Sequence, residues 1–144
     1  MLNNRLGLQE TTGLYLIGSF GASAVLLYGV PGAELSQPRN LIGGHAVSAL
    51  VGVACHLLCP QDIALASALA VSLAIVMMQV TQTLHPPGGA TALIAVIGGD
   101  SVYRLGFGYV LSPVLSGAFI MLFVALLINN LSSNKARHYP RHWL

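Results

Sequence analysis

His85-Pro86-Pro87-Gly88-Gly89-Ala90-Thr91 puts a titratable ring, two prolines, two glycines and a hydroxyl into one short stretch between long apolar runs. Pro86 and Pro87 donate no backbone hydrogen bond and hold the chain extended. Gly88 and Gly89 allow unusual dihedrals and close approach of a ligand. A helix that starts behind them presents unpaired N–H groups and the positive end of its dipole. With the Thr91 hydroxyl added, residues Gly88, Gly89, Ala90 and Thr91 form a candidate anion seat. A capped reverse turn without a ligand would account for the same residues.

The stretch has an internal echo. Gly21-Ala22-Ser23-Ala24-Val25-Leu26 matches Gly89-Ala90-Thr91-Ala92-Leu93-Ile94 in residue type. A polar break with one acid and one arginine follows each copy: Glu34 and Arg39 in the first, Asp100 and Arg104 in the second. Small residues then recur at every fourth position, Gly44, Ser48, Gly52 and Gly108, Ser112, Ser116. Such ladders let helix backbones approach in a membrane. The pattern predicts a duplicated half whose copies each open a half-helix, so Gly21, Ala22 and Ser23 are a second candidate seat. Paired interrupted segments in two halves point to a transporter's binding site.

Arg39 lies in Gln37-Pro38-Arg39-Asn40, where Pro38 and Asn40 are helix-start residues. A cation there either faces an anion, snorkels to lipid phosphate or pairs with Glu34. His45 and His85 are ionisable residues inside or beside apolar segments, which makes them functional candidates. Either would donate to an anion, or shuttle a proton so that the anion crosses as its neutral acid. The duller roles are a helix cap for His85 and a carbonyl contact for His45. No carboxylate neighbours either histidine, so no metal and no cofactor is expected. His56 reads as interfacial. Gln79, Thr81, Gln82 and Thr83 form a polar helix end that lines an entrance or bonds between helices. Cys55 and Cys59 read as small packing residues.

The elements that must hold these residues are apolar. Of 144 residues 55% are hydrophobic and only 7% charged, outside the range of soluble domains. Residues 13–30, 41–58, 63–84 and 106–129 are long and apolar enough to span. Pro60 and Asp62 should end the second span and start the third as antiparallel neighbours. Residues 88–98 would reach about 16 Å, half the hydrocarbon core. They form either a half-helix that dips in and returns or the second part of a broken helix, its backbone covered by protein or lining a wet cavity. The net charge of +2 comes without a basic stripe, so no nucleic-acid partner is indicated. Residues 1–12 are a polar segment, 13–130 a membrane domain, and 131–144 a basic tail with Lys135, Arg137 and Arg141.

Three blocks, "LHPPGGATAL", "FGASAVLLYG" and "QPRNLIGGHAVSALVGV", resemble the HPP family of integral membrane proteins, named for its His-Pro-Pro triplet. The likeness runs from about Leu14 to Asn130. The family motif falls on His85, Pro86 and Pro87, and the second block on Gln37, Pro38, Arg39 and Asn40. The resemblance implies about four spans and, from plastid and cyanobacterial members, nitrite transport. One departure is that no full helix precedes the first copy, as residues 63–84 precede the second.

The expectation is an all-α integral membrane protein, with about four transmembrane helices plus a re-entrant half-helix after the His-Pro-Pro motif. The tail would be cytoplasmic by the positive-inside rule, in a bacterial inner membrane, which places the Arg39 and Arg104 loops outside. A chain this short should enclose a polar path only as a homo-oligomer in the lipid bilayer. The expected function is passage of a small inorganic anion, with a non-transporting scaffold or sensor as alternative. No paired carboxylates, nucleophile elbow or phosphate loop suggests an enzyme.

Overall fold

The computed structural model describes residues 18–143. Among these residues six α-helices follow in order: α1 Gly18–Ala24, α2 Pro38–Leu58, α3 Ile63–Val80, α4 Pro87–Ile97, the short α5 Asp100–Tyr103, and α6 Ser116–Asn130. α1 runs on as a wider π turn, Val25–Gly29, and a second π segment, Val110–Leu115, leads into α6. Among the described residues, three helices are long and apolar enough to cross a membrane: Pro38–Leu58, Ile63–Val80 and Val110–Asn130. The expected first span, residues 13–30, begins outside the described residues.

Local chemistry sets the boundaries. Pro38 occupies the first helical position of α2, where its missing N–H costs nothing. Asp62 caps α3 by accepting from the Leu65 N–H at 2.9 Å. α3 stops where Gln82 turns to φ 55°, and the Thr83 N–H closes back on the Met78 carbonyl at 2.8 Å. The Val110–Leu115 segment is bent at Ser112 (φ −140°, ψ 124°) because Pro113 behind it disfavours helical backbone there.

Small residues bring the helices together. Ala66, Ala70, Ala74 and Met78 form the buried face of α3, against Cys55 of α2 and Ala92 and Val96 of α4. The Gly44, Ser48, Gly52 ladder is buried as expected and seats α4: Gly44 lies against His85, and Gly52 against Ala92 and Ala95. The second ladder is not a continuous one, since Ser112 leaves helical geometry between Gly108 and Ser116. Leu65, Leu73, Val76, Phe119, Phe123 and Ile128 stay exposed, an apolar outside suited to lipid.

The contacts Gly44–His85 and Gly52–Ala92 run in the same sense, so α4 is parallel to α2. Just beyond its far end Tyr103, in α5, stacks on His56, close to the C-terminus of α2 (centroids 4.0 Å, 15° between planes). α4 therefore continues to the end of the bundle where α3 began, and does not return to its own starting end. This path is that of the broken-helix alternative. The added pass also changes the sidedness. The Arg141 N–H donates to Gln37 Oε1, and the Tyr139 hydroxyl to the Ser36 carbonyl, both at 2.8 Å. The Arg39 loop thus shares one end of the bundle with the C-terminal tail, contrary to the expectation that they lie on opposite sides.

Candidate functional site

α1 carries Ser19 and Ser23 four residues apart, hence on one face. α2 presents His45, and the start of α4 presents Thr91. The extended turn before α4 brings in His85. All five side chains are fully buried. Ser23 Oγ lies 2.8 Å from His45 Nε2 and 2.8 Å from His85 Nε2. His45 Nδ1 lies 2.8 Å from Thr91 Oγ1, which is in turn 2.8 Å from Ser19 Oγ. His85 Nδ1 faces the Leu35 carbonyl at 2.8 Å. The rings sit edge to face, with centroids 5.0 Å apart. The result is a connected polar chain in the interior, Ser19, Thr91, His45, Ser23, His85, Leu35, with a side contact from Thr91 Oγ1 to the Pro87 carbonyl at 3.5 Å.

The echo has a structural meaning here. It equates Ser23 with Thr91, and these two hydroxyls occupy the two nitrogens of the same ring, His45. The described residues of one chain bury all five of these side chains.

The backbone seat is different from expectation. The Gly88 N–H donates to the His85 carbonyl at 2.8 Å and the Gly89 N–H to the Pro86 carbonyl at 3.1 Å. These amides are taken by the turn itself. Gly88 is pressed between Ser48, Met78 and the Gly44 carbonyl. Gly89 and Ala90 face an apolar groove with Val71, Ile75 and Leu93. In the first copy Gly21, Ala22 and Ser23 lie within α1 and do not open a half-helix; Gly21 and Ala22 are exposed on its outer face. The hydroxyls of both copies reach the site, but the glycine amides at Gly88 and Gly89 do not dangle.

The Gln37-Pro38-Arg39-Asn40 block holds the surroundings in place. Buried Gln37 donates to the Pro31 and Ala33 carbonyls at 3.0 and 2.7 Å. Asn40 donates to the Leu84 carbonyl at 2.8 Å, which pins the segment just before His85. Arg39 donates to the Thr81 carbonyl at 3.1 Å and to Gln82 Oε1 at 3.4 Å. It thus holds the C-terminal end of α3 and does not pair with Glu34. Arg39, Glu34, Leu35, Gln79, Gln82, Leu84 and His142 line an open vestibule of about 460 Å³. Leu35 belongs to both features, for its carbonyl ends the polar chain while the residue walls the vestibule.

Sequence reasoning missed Ser19, the Leu35 carbonyl and the approach of His142. The Ser19–Ser23 spacing was the available signal for the first. Ser48 Oγ, one turn beyond His45, is buried with no hydrogen-bond partner.

A family model described as HPP, transmembrane region, matches residues 1–140. Two curated transmembrane proteins of Dictyostelium discoideum are similar. One is 53% identical over 131 residues, covering 89% of this chain and 45% of its own length. The other is 47% identical over 146 residues, covering 99% and 46%. The chain thus spans a little under half the length of these relatives. No solved structure matches.

Proposed function

The chain belongs to the HPP transmembrane family, and from that premise we propose that it moves a small monovalent anion, nitrite by family resemblance, across the bilayer. The observation that carries this reading is the buried chain of two histidines and three hydroxyls that ends at the wall of a charged vestibule. Polar side chains inside a membrane are costly and mark pathways. Arg39 collects the anion at the mouth, and His85 is the first interior donor behind Leu35 and Leu84. Passage needs a movement at Leu35, since its carbonyl occupies His85 Nδ1. The tail end, with Arg39, Lys135, Arg137 and Arg141, is the cytoplasmic one under the positive-inside rule. Homo-oligomers would then place several such paths side by side.

The alternative is a membrane scaffold, favoured by one feature: every imidazole nitrogen of His45 and His85 already has a partner. Flux separates the two. Liposomes holding the purified chain should pass nitrite faster than empty ones, and Arg39→Ala and His85→Ala should each slow it. Equal flux in all samples would leave the scaffold standing.

A further inference from the structure

Leu35 stands between the vestibule and the buried histidines, and its carbonyl accepts the His85 Nδ1–H at 2.8 Å. Leu35 is not free to move alone. The loop that carries it, residues 30–37, is braced from within. The Ser36 hydroxyl reaches the Leu26 and Val30 carbonyls at 3.2 and 3.1 Å. The Gln37 amide holds the Pro31 and Ala33 carbonyls. Backbone bonds from Ser36 to Ala33 and from Gln37 to Glu34 close turns around Leu35.

The C-terminal tail clamps the same loop from outside, on the two residues that follow Leu35. The Ser36 carbonyl accepts from the Tyr139 hydroxyl and Gln37 Oε1 from the Arg141 N–H, both at 2.8 Å. Ser36 and Gln37 are fully buried beneath these contacts. The tail is in turn fastened to the bundle. Asn130 holds both backbone groups of Tyr139. Arg137 donates to the Tyr28 carbonyl at 2.7 Å and to Asn129 Oδ1 at 3.3 Å. Each such bond is modest in net terms, so the docked tail is a reversible fastening.

We propose that the tail is a latch on the mouth of the path. Docked, it fixes residues 30–37 and keeps the Leu35 carbonyl on His85. Undocked, it lets the loop swing as a unit between Gly29 and Pro38, which opens His85 Nδ1–H to an anion in the vestibule. Control of passage in this way rests on the transport reading above; the mechanical coupling of tail to His85 does not.

Two substitutions undo the latch at separate points without altering Leu35, His85 or the vestibule wall. Tyr139→Phe removes the bond to Ser36, and Arg137→Gln the anchor on Tyr28 and Asn129. Limited proteolysis should show the tail freed in both. In liposomes holding the full chain, Tyr139→Phe should raise nitrite flux about fivefold, the population shift for a lost hydrogen bond worth about 1 kcal/mol. Arg137→Gln should raise it too. It also removes a positive charge from the mouth end, which by itself would slow an anion, so a rise there is not a charge effect. In nitrogen-15 histidine spectra in nanodiscs, the His85 Nδ1–H signal should shift and exchange faster with water in both variants. Unchanged or slower flux with the tail freed overturns the latch, as does an unshifted His85 signal. A tail that stays protected in both variants overturns it as well, because these bonds then do not hold it. No nitrite flux in parent or variants overturns the transport reading, and the His85 signal then decides the coupling alone.

Discussion

Gly52 and Ala92 meet backbone to backbone. A β-carbon on Gly52 would lie 2.5 Å from the Ala92 carbonyl oxygen and 2.8 Å from its Cα, neither of which can swing aside. Gly52→Ala should therefore cost about 1–3 kcal/mol, the range for overpacking, or more. Gly89 offers the contrast, for its β-carbon would find only Val71 Cγ1, at 3.8 Å. Gly89→Ala should stay within about 0.5 kcal/mol of the parent. Denaturant titration in detergent checks both. A tolerated Gly52→Ala would mean that α2 and α4 are farther apart than described.

Ser48 is the next test. Its buried hydroxyl has no partner, and a bare buried polar group carries a desolvation cost. Alanine is also the better helix former. Ser48→Ala should be neutral or stabilising by up to about 1 kcal/mol, with nitrite flux unchanged. Marked destabilisation would show that the hydroxyl has a partner after all.

Tyr139 anchors the tail. It is buried at 2% exposure, donates to the Ser36 carbonyl at 2.8 Å, and is held at both backbone groups by Asn130. Burial pushes its phenol up from 10.0, with the nearby Tyr28 adding to the shift. A folded-state pKa above the unfolded one gives stability that is complete below the unfolded value and lost as pH rises through the folded one. The tail should loosen only at strongly alkaline pH, above about 10. Limited proteolysis across a pH series reads this. Tyr139→Phe should expose the tail at neutral pH and remove the part of the alkaline loosening that belongs to this phenol.

On the transport reading, Arg39 acts at the mouth by charge and by its grip on Thr81 and Gln82. Arg39→Ala should raise the nitrite concentration for half-maximal flux more than it lowers the maximum. Arg39→Lys, which keeps the charge and loses the fork, should fall between. Added inert salt should depress flux at low nitrite in the parent and little in Arg39→Ala. Salt-independent parent flux would remove the steering role.

Much of the scaffold was legible because its signals are local. The tight Cys59–Asp62 connection, the start of α3 and the helix after Pro86-Pro87 follow from caps and prolines that act within a few residues. The Gly44–Gly52 ladder was legible for the same reason. Residues 88–98 were harder, since length alone does not say whether a short helix turns back; the contact of Gly52 with Ala92 decides that, and it is tertiary. The site was half visible. His45, His85, Ser23 and Thr91 stood out by type, and the echo paired the last two. Their convergence did not, because it joins positions 22 to 62 residues apart through one hydroxyl. The amides at Gly88 and Gly89 misled because the turn that exposes them in sequence also folds its own carbonyls onto them.

His142 walls the vestibule beside Arg39, so whatever is fused behind it hangs over the mouth. An affinity tag at that end would act as a stopper, and rates measured with it in place would describe the obstruction. The same geometry makes the position useful. On the transport reading a fluorophore there would sit where solute gathers, and its quenching by iodide would report occupancy of the mouth without any flux being measured.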